Sequence, residues 1–426
     1  MNSSPYSSVE MDAASERSAL LSSAAGRRRA DRALVAGCLL ATLGVIAAGK
    51  RDAHAPLGAA LSEPDRTVRP SLPRAGGNVT RALPTLGING SLVSVSGLSS
   101  GADMAVQFHV AHSSRVMGAA IFAGEPYHCA LTLFSAEMAR GIAEPPPYDH
   151  CKSTPEVVEP EVLVRYTRRR ANESRIDDPD AHLRGARVYL YRGRDDATYL
   201  NGSVTKTKRY YEAWGMPAAH VKFETSVPSD HAIPTIAYGG ECGSGDPTSP
   251  LENCRYDGAG EALRHIYGTT REDAFMRLPS SAEPADLRVF NQTPFAVAGS
   301  GLADEGYVYV PPRCARAGGC ALHIFLHGCF GCVTCADGPN TTLVTHAGFN
   351  RWAALNAAVI LYPQLKNIET SCWSAAGCGV GESKQQSWGC WDSYGYGGAD
   401  YDLQDGAQIR ALIAMVDHLA HPVAVE

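Results

Sequence analysis

One ten-residue stretch constrains this chain more than any other: Val93-Ser-Val-Ser-Gly-Leu-Ser-Ser-Gly-Ala102. Leu92 to Val95 is expected to be a short buried strand, and Ala102 to Val110 a helix with a small first turn. Between them, Gly97-Leu98-Ser99-Ser100-Gly101 fits the G-x-S-x-G pattern of a sharp strand-to-helix turn with a serine at its apex. The glycines have a steric reason: neighbouring backbone must pass the strained serine without meeting a Cβ. The helix that follows aims free N–H groups at the serine, which suits negative charge developing on an oxygen. A plain Ser/Gly-rich loop would carry the same letters. The elbow reading therefore requires an acid, a histidine and a second oxyanion donor elsewhere in the chain.

Downstream segments supply them in order. Arg187-Val-Tyr-Leu-Tyr191 is β-rich and runs into Gly193-Arg-Asp-Asp196. Val221 to Thr225 is another short strand leading to Ser229-Asp-His231. Ser99, Asp196 and His231 thus fall in the order nucleophile, acid, histidine expected of an α/β hydrolase. Taken singly, Asp195 and Asp196 could be turn carboxylates, and His231 could cap a helix or satisfy a core polar group. Together, three such residues at three strand ends point to one chemistry. A serine hydroxyl is a poor nucleophile at neutral pH, so His231 would take its proton and Asp196 would hold the imidazole tautomer and stabilise the imidazolium.

The order of the remaining elements is unusual. Gly306 to Pro311, Ala321 to Leu326 and Ala358 to Tyr362 read as strands, and Asp405 to Leu419 as an amphipathic helix. In an ordinary α/β hydrolase such elements precede the nucleophile strand. Here they follow the histidine, so the sheet would be assembled from a circularly permuted chain, which requires only that the domain's ends lie close together. Alternatively, residues 300–426 could form a small domain of their own. That would leave residues 91–240 with half a sheet and an uncovered parallel edge.

Composition places the chain in a compartment. With 426 residues a large core is easily buried, and a net charge of −6 with mixed signs gives no reason to expect a nucleic-acid partner. Of thirteen cysteines, Cys38 lies in an apolar N-terminal run and the other twelve fall between Cys129 and Cys390. An even number at short spacings suggests disulfides formed in an oxidising compartment, with connectivity left open. Six sequons agree: Asn78, Asn89, Asn172, Asn201, Asn291 and Asn340. Cys329-x-x-Cys332-x-x-Cys335 could be read as zinc ligands, but a zinc site usually draws on a second such pair or added histidines, so no metal and no cofactor are expected.

Residues 1–32 are expected to be a disordered cytoplasmic tail. Ala33 to Gly49 is an uncharged run of 17 residues preceded by Arg27, Arg28, Arg29 and Arg32. It reads as a signal-anchor, with the C-terminal part on the lumenal or extracellular side of a secretory-pathway membrane. A cleaved signal peptide and a secreted product are the alternative, with Ala53-His-Ala55 as a cleavage pattern spoiled by Pro56. Glu16 to Leu21 resembles an acidic dileucine signal that would send the protein to an endosome, lysosome or vacuole. Residues 50–85 read as a stalk and 86–426 as the catalytic domain.

Longer strings carry a resemblance. SVSGLSSGADMAVQ (94–107), IFAGEPYHCA (121–130), RVYLYRGRDDATY (187–199), SDHAIPT (229–235), PLENCRYDGAGEALRHIYG (250–268), CALHIFLHGC (320–329) and GCWDSYGYGG (389–398) run in order along the chain. The chain resembles the single-domain, circularly permuted extracellular polyhydroxybutyrate depolymerases. The resemblance implies a permuted α/β-hydrolase fold, with a mostly parallel sheet, helices on both faces and many disulfides. It also implies a monomeric serine esterase acting on a 3-hydroxyalkanoate polyester. Ser99, Asp196 and His231 would be the triad, with the N–H groups of Ser100 and Cys329 as the oxyanion hole. Trp391 and Tyr394 would line the substrate crevice. The chain departs from the family in Ser393-Tyr394 after Cys390-Trp391-Asp392, in the extra Cys332 and Cys335, and in its N-terminal run. A lysosomal, vacuolar or secreted esterase for small acyl or aryl esters is therefore the alternative, and a non-catalytic membrane-tethered glycoprotein a further one.

Overall fold

The computed structural model describes residues 81–130, 150–246, 249–268, 286–335, 340–367, 369–370, 385–386, 388–393 and 395–422. The strand sequences explain how they pack. Along β1 (Val93–Leu98), β2 (Val116–Phe122), β3 (Arg187–Tyr191) and β4 (Val221–Glu224), the side chains alternate between faces. The same holds in β8 (Leu287–Asn291), β9 (Glu305–Tyr309), β10 (Ala321–Leu326) and β11 (Ala358–Tyr362), which join them in one sheet. Three short strands, β5 (Ile233–Thr235), β6 (Gly240–Glu241) and β7 (Leu251–Asn253), form a separate small sheet.

Both faces of the large sheet are covered, so the strands read as almost continuous apolar runs. Val93, Val95, Ile121, Val188, Leu190, Leu322, Ile324, Val359 and Leu361 lie in one core cluster. Their alternates Phe122, Tyr189, Tyr191, Phe325, Ile360 and Tyr362 lie in another. Four helices pack on the aliphatic side: α1 (Ser100–Ala111), α2 (Pro160–Asn172), α3 (Ser203–Glu212) and, much later in the chain, a helix at Ala407–Ala420. On the aromatic side lie α4 (Gly258–Tyr267) and α5 (Phe349–Asn356); the last helix, Ala407–Ala420, is α6. All twelve residues of α1 are buried, as befits a helix wedged into the centre of the molecule.

The strand order is β4-β3-β2-β1-β10-β11-β9-β8. From β4 to β11 every neighbouring pair is parallel; β9 and β8 join antiparallel. Counted from β8, the spatial order becomes first, second, fourth, third, fifth, sixth, seventh, eighth. β1, which leads into Ser99, is the first strand along the described residues yet lies in the middle of the sheet, paired with β2 on one side and β10 on the other. A separate domain at 300–426 is thereby excluded. The permutation also has its expected requirement: Leu86 and Ile88 N–H donate to the Leu419 carbonyl, and Gly87 N–H to that of His421, joining the two ends of the domain.

A polar seam marks the β1–β10 junction. Ser94 and Ser96 face the aromatic side, and His323 of β10 bridges them, with Nδ1 and Nε2 each 2.7 Å from a serine Oγ. Burial pushes the His323 pKa down to about 3, so it is neutral and satisfied by the two hydroxyls.

Several expected boundaries shift. The strand expected over Leu92–Val95 continues to Leu98, the helix expected over Ala102–Val110 starts at Ser100, and α3 begins only at Ser203, after Asp196 has recruited the Thr198 and Tyr199 N–H groups into a turn. No helix among the described residues is long and apolar enough to cross a membrane. The 33–49 run, the tail and the stalk up to Thr80 lie outside the described residues.

Candidate active site

The elbow forms as its letters require. Ser99 has φ 58° and ψ −127°, a strained conformation for a residue with a Cβ. Its N–H donates to the Phe122 carbonyl at 3.0 Å, and its carbonyl accepts from Ala102 and Asp103 to start α1. A Cβ on Gly97 would lie 2.1 Å from the Gly101 carbonyl oxygen. One on Gly101 would lie 2.3 Å from the carbonyl oxygens of both Leu326 and His327. The second glycine is thus required by the end of β10, 225 positions further along the chain than Gly101 counting to Leu326. It lets the elbow and that strand end touch.

The acid and the histidine meet. Asp196 is 3% exposed, and its Oδ2 lies 3.0 Å from His231 Nδ1. Its Oδ1 accepts from Thr198 and Tyr199 N–H at 2.8 and 2.9 Å. Asp195, the neighbouring candidate, faces solvent and pairs with Arg194, which holds its carboxyl below the usual range. The two neighbouring side chains thus leave the turn after β3 differently, Asp196 toward His231 and Asp195 toward solvent.

Two buried groups hold these loops, and no sequence pattern marks either. Arg192 wraps the acid turn: Nε donates to the Tyr199 carbonyl, Nη1 to Gly193 and Arg194, and Nη2 to Asp196, at 2.6 to 3.1 Å. Glu252 of β7 is fully buried and accepts N–H groups from Asp230 and Gly243 through Oε2, so it anchors the loop that bears His231. Each is held by hydrogen bonds to backbone groups that only the fold brings together.

The loop that would supply the second oxyanion donor follows β10. His327, 1% exposed, follows the strand, and its Nε2 accepts from Leu365 N–H at 3.2 Å. Nδ1 therefore carries the proton and donates to the Gly328 carbonyl at 2.8 Å. A trans peptide sets its C=O and N–H on opposite sides, so this bond turns the Cys329 N–H away from His327. Burial pushes the His327 pKa down to about 4, which keeps this tautomer neutral through the physiological range. A Cβ on Gly328 would lie 3.2 Å from the Ser99 Cβ, so the loop lies directly against Ser99. Among the described residues, neither Ser100 N–H nor Cys329 N–H has a backbone acceptor.

Disulfides brace this side. Cys329 bonds Cys390, and Cys332 bonds Cys335. Cys129–Cys151, Cys242–Cys254 and Cys314–Cys320 complete the set among the described residues; Cys372 and Cys378 lie outside them. With all three thiols of the Cys329–Cys335 run bonded, the zinc reading falls away.

Trp391, expected in the crevice wall, is fully enclosed. Its backbone N–H donates to Ser100 Oγ at 3.2 Å, its ring lies 5.7 Å from His327, and its indole N–H has no partner among the described residues. A ligand reaches its face only if neighbouring residues move. Tyr394 lies outside the described residues. Instead the exposed aromatics at this edge are Phe330, 60% exposed, and Trp388, 41% exposed. Their rings stack at 5.7 Å, and the Phe330 N–H donates to the Trp388 carbonyl. Both take positive φ. Of the sequons, Asn89, Asn172 and Asn201 are exposed, Asn291 and Asn340 are half-buried, and Asn78 lies outside the described residues.

A strained serine between strand and helix, a carboxylate–imidazole pair and two free N–H groups, carried on this sheet order, define a circularly permuted α/β hydrolase. The comparisons with known proteins narrow the class. No protein-family model matches the chain. It is 34% identical over 343 residues to a poly(3-hydroxybutyrate) depolymerase of Delftia acidovorans, across 79% of this chain and 61% of the relative. It is 31% identical over 350 residues to a polyhydroxybutyrate depolymerase of Talaromyces funiculosus, across 79% of this chain and 92% of the relative. Two solved structures resemble it at 29% identity, each covering 80% of this chain and 99% of the other. One, with a TM-score of 0.65, is a serine-to-alanine PHB depolymerase variant complexed with an R3HB trimer. The other, at 0.63, is the PHB depolymerase from Penicillium funiculosum. This chain belongs to the polyhydroxybutyrate depolymerase family, a family of carboxylic ester hydrolases. It spans about three-fifths of the Delftia relative.

Proposed function

We propose that the protein hydrolyses poly(3-hydroxybutyrate) or related 3-hydroxyalkanoate esters through an acyl-enzyme on Ser99. The observation that carries this reading is the His231–Asp196 pair at 3.0 Å, on a sheet that also presents Ser99 at a strained elbow. His231 Nε2 takes the Ser99 proton as Oγ attacks the ester carbonyl. The proton on Nδ1 stays hydrogen-bonded to Asp196, which stabilises the imidazolium. The Ser100 and Cys329 N–H groups receive the developing oxyanion. The imidazolium then protonates the leaving alkoxide, and the acyl-enzyme forms. Water, deprotonated by His231, attacks the acyl carbon, and the hydroxyacid leaves as Ser99 regains its proton.

Phe330 and Trp388 favour a polymer over a small ester. Exposed aromatics beside the oxyanion loop offer apolar surface to a chain extending past the scissile bond, worth roughly 1–3 kcal/mol for a well-covered ring. The enclosure of Trp391 favours the second reading, a small-ester hydrolase, because it narrows the room behind Ser100. Relative rates on polymer film, soluble oligomer and p-nitrophenyl butyrate separate the two. Replacing Ser99 by Ala is expected to lower hydrolysis of a 3-hydroxybutyrate oligomer by about 10⁶-fold, and undiminished hydrolysis rejects the nucleophile.

The five disulfides support an oxidising, lumenal or extracellular setting. We read the 33–49 run as a type II signal-anchor and the sequons as glycan acceptors. A mobility shift on glycosidase treatment of full-length protein from secretory cells is the expected result; its absence counts against the lumenal domain.

A further inference from the structure

Resting on the triad reading above, we propose that Tyr199 is the positioning residue that sets the plane of the His231 ring relative to Ser99. Tyr199 is 1% exposed and touches every element that carries a triad member. Its own N–H donates to Asp196 Oδ1 at 2.9 Å, so it belongs to the acid turn. Its ring lies parallel to the His231 ring, at an interplanar angle of 5° with centroids 5.3 Å apart. Its hydroxyl donates to Asp103 Oδ2 at 2.8 Å, and Asp103 lies in the first turn of α1, its N–H bonded to the Ser99 carbonyl.

The physical need is specific. The bond from His231 Nδ1 to Asp196 fixes one point of the imidazole and leaves the ring free to tilt about it. Proton transfer from Ser99 requires Nε2 to point along one line, and a flat wall on the ring face removes the tilt. Tyr199 supplies the wall. Its hydroxyl ties the wall to the helix that Ser99 caps, so base and nucleophile are referenced to one side chain. Asp103 is itself held, with Oδ1 accepting from Glu125 N–H at 2.9 Å. On the acid side the Tyr199 carbonyl accepts from Arg192 Nε at 2.6 Å, which leaves the residue little play.

Tyr199→Leu removes the wall, and Tyr199→Phe removes only the anchor. On soluble p-nitrophenyl butyrate, kcat is expected to fall about 10²-fold in the first and about 3- to 10-fold in the second, with KM unchanged in both. Labelling of Ser99 by a fluorophosphonate, which needs the same base, slows by the same factors. A folded Tyr199→Leu protein with wild-type kcat overturns the proposal, as does a change confined to KM. Should the leucine variant not fold, the phenylalanine variant decides: an unchanged kcat and labelling rate overturn it. Ser99→Ala in the same assay keeps the two readings apart. Activity that survives there removes the triad itself. A silent Ser99→Ala beside a fully active Tyr199→Leu removes only the role of Tyr199.

Discussion

Ser99 sits on a turn shaped by glycines two positions before and after it, whereas Cys329 sits on a loop held by a disulfide spanning 61 positions and by a buried histidine. The two meet at the Gly328–Ser99 contact. The turn at Ser99 is a backbone device: its strain is tolerated because neighbouring chain has no Cβ to avoid. The loop bearing Cys329 has no such local code. His327 aims the peptide, Cys390 ties the loop to the far side of the site, and Gln364 accepts the Val333 N–H beyond it. A short segment can be shaped by its own sterics. A loop that must meet a partner from elsewhere in the chain needs long-range groups to hold it.

This contrast can be broken by exchanging the kinds of damage. The largest effect is expected from Gly101→Ala, whose Cβ would lie 2.3 Å from two carbonyl oxygens. Backbone must move at both elements at once, so kcat should fall on the order of 10³-fold. A variant of near wild-type activity would show that the elbow and the β10 end need not touch. Next, Cys329→Ser with Cys390→Ser should lower kcat about 10²-fold, as loss of one oxyanion donor does, with KM little changed. The disulfide closes a loop of 61 positions, so the same pair should cost about 4 kcal/mol in stability by denaturant titration. Stability lost with kcat intact would mean that His327 alone holds the peptide.

On turnover the smallest effect is that of acid, which acts on stability. His109, His323 and His327 are buried, and burial lowers their pKa values from 6.5 to about 3, 3 and 4. Unfolding frees them to take protons below pH 6.5, while the folded protein takes none until near pH 4. The unfolded state therefore binds more protons across that window, and stability falls as pH drops through it. The slope is on the order of 1.4 kcal/mol per pH unit for each fully protonated histidine. Carboxylates contribute mainly below this range, so urea midpoints measured between pH 7 and 5 read the histidines. A flat profile there would mean that these rings are not buried neutral in solution.

The elbow, the order of Ser99, Asp196 and His231, and several strands of the large sheet, though not β8, were legible because each is written in consecutive residues. G-x-S-x-G is a local steric statement, and Ala321–Leu326 or Ala358–Tyr362 are apolar runs whose ends coincide with the observed strands. That the cysteines would form disulfides was also foreseeable, but which pairs with which, such as Cys314 with Cys320, was not. What the folded chain alone decided was the caging of the turn at Asp196 by Arg192, the enclosure of Trp391 and the stacking of Tyr199 on His231. Each depends on which side chain faces which neighbour after the sheet has closed. Sequence spacing orders residues along the chain, but it does not carry that direction. The sequence by itself determined what chemistry the elbow could support. The tertiary structure decided which groups, brought from the far half of the permuted chain, would hold it in place.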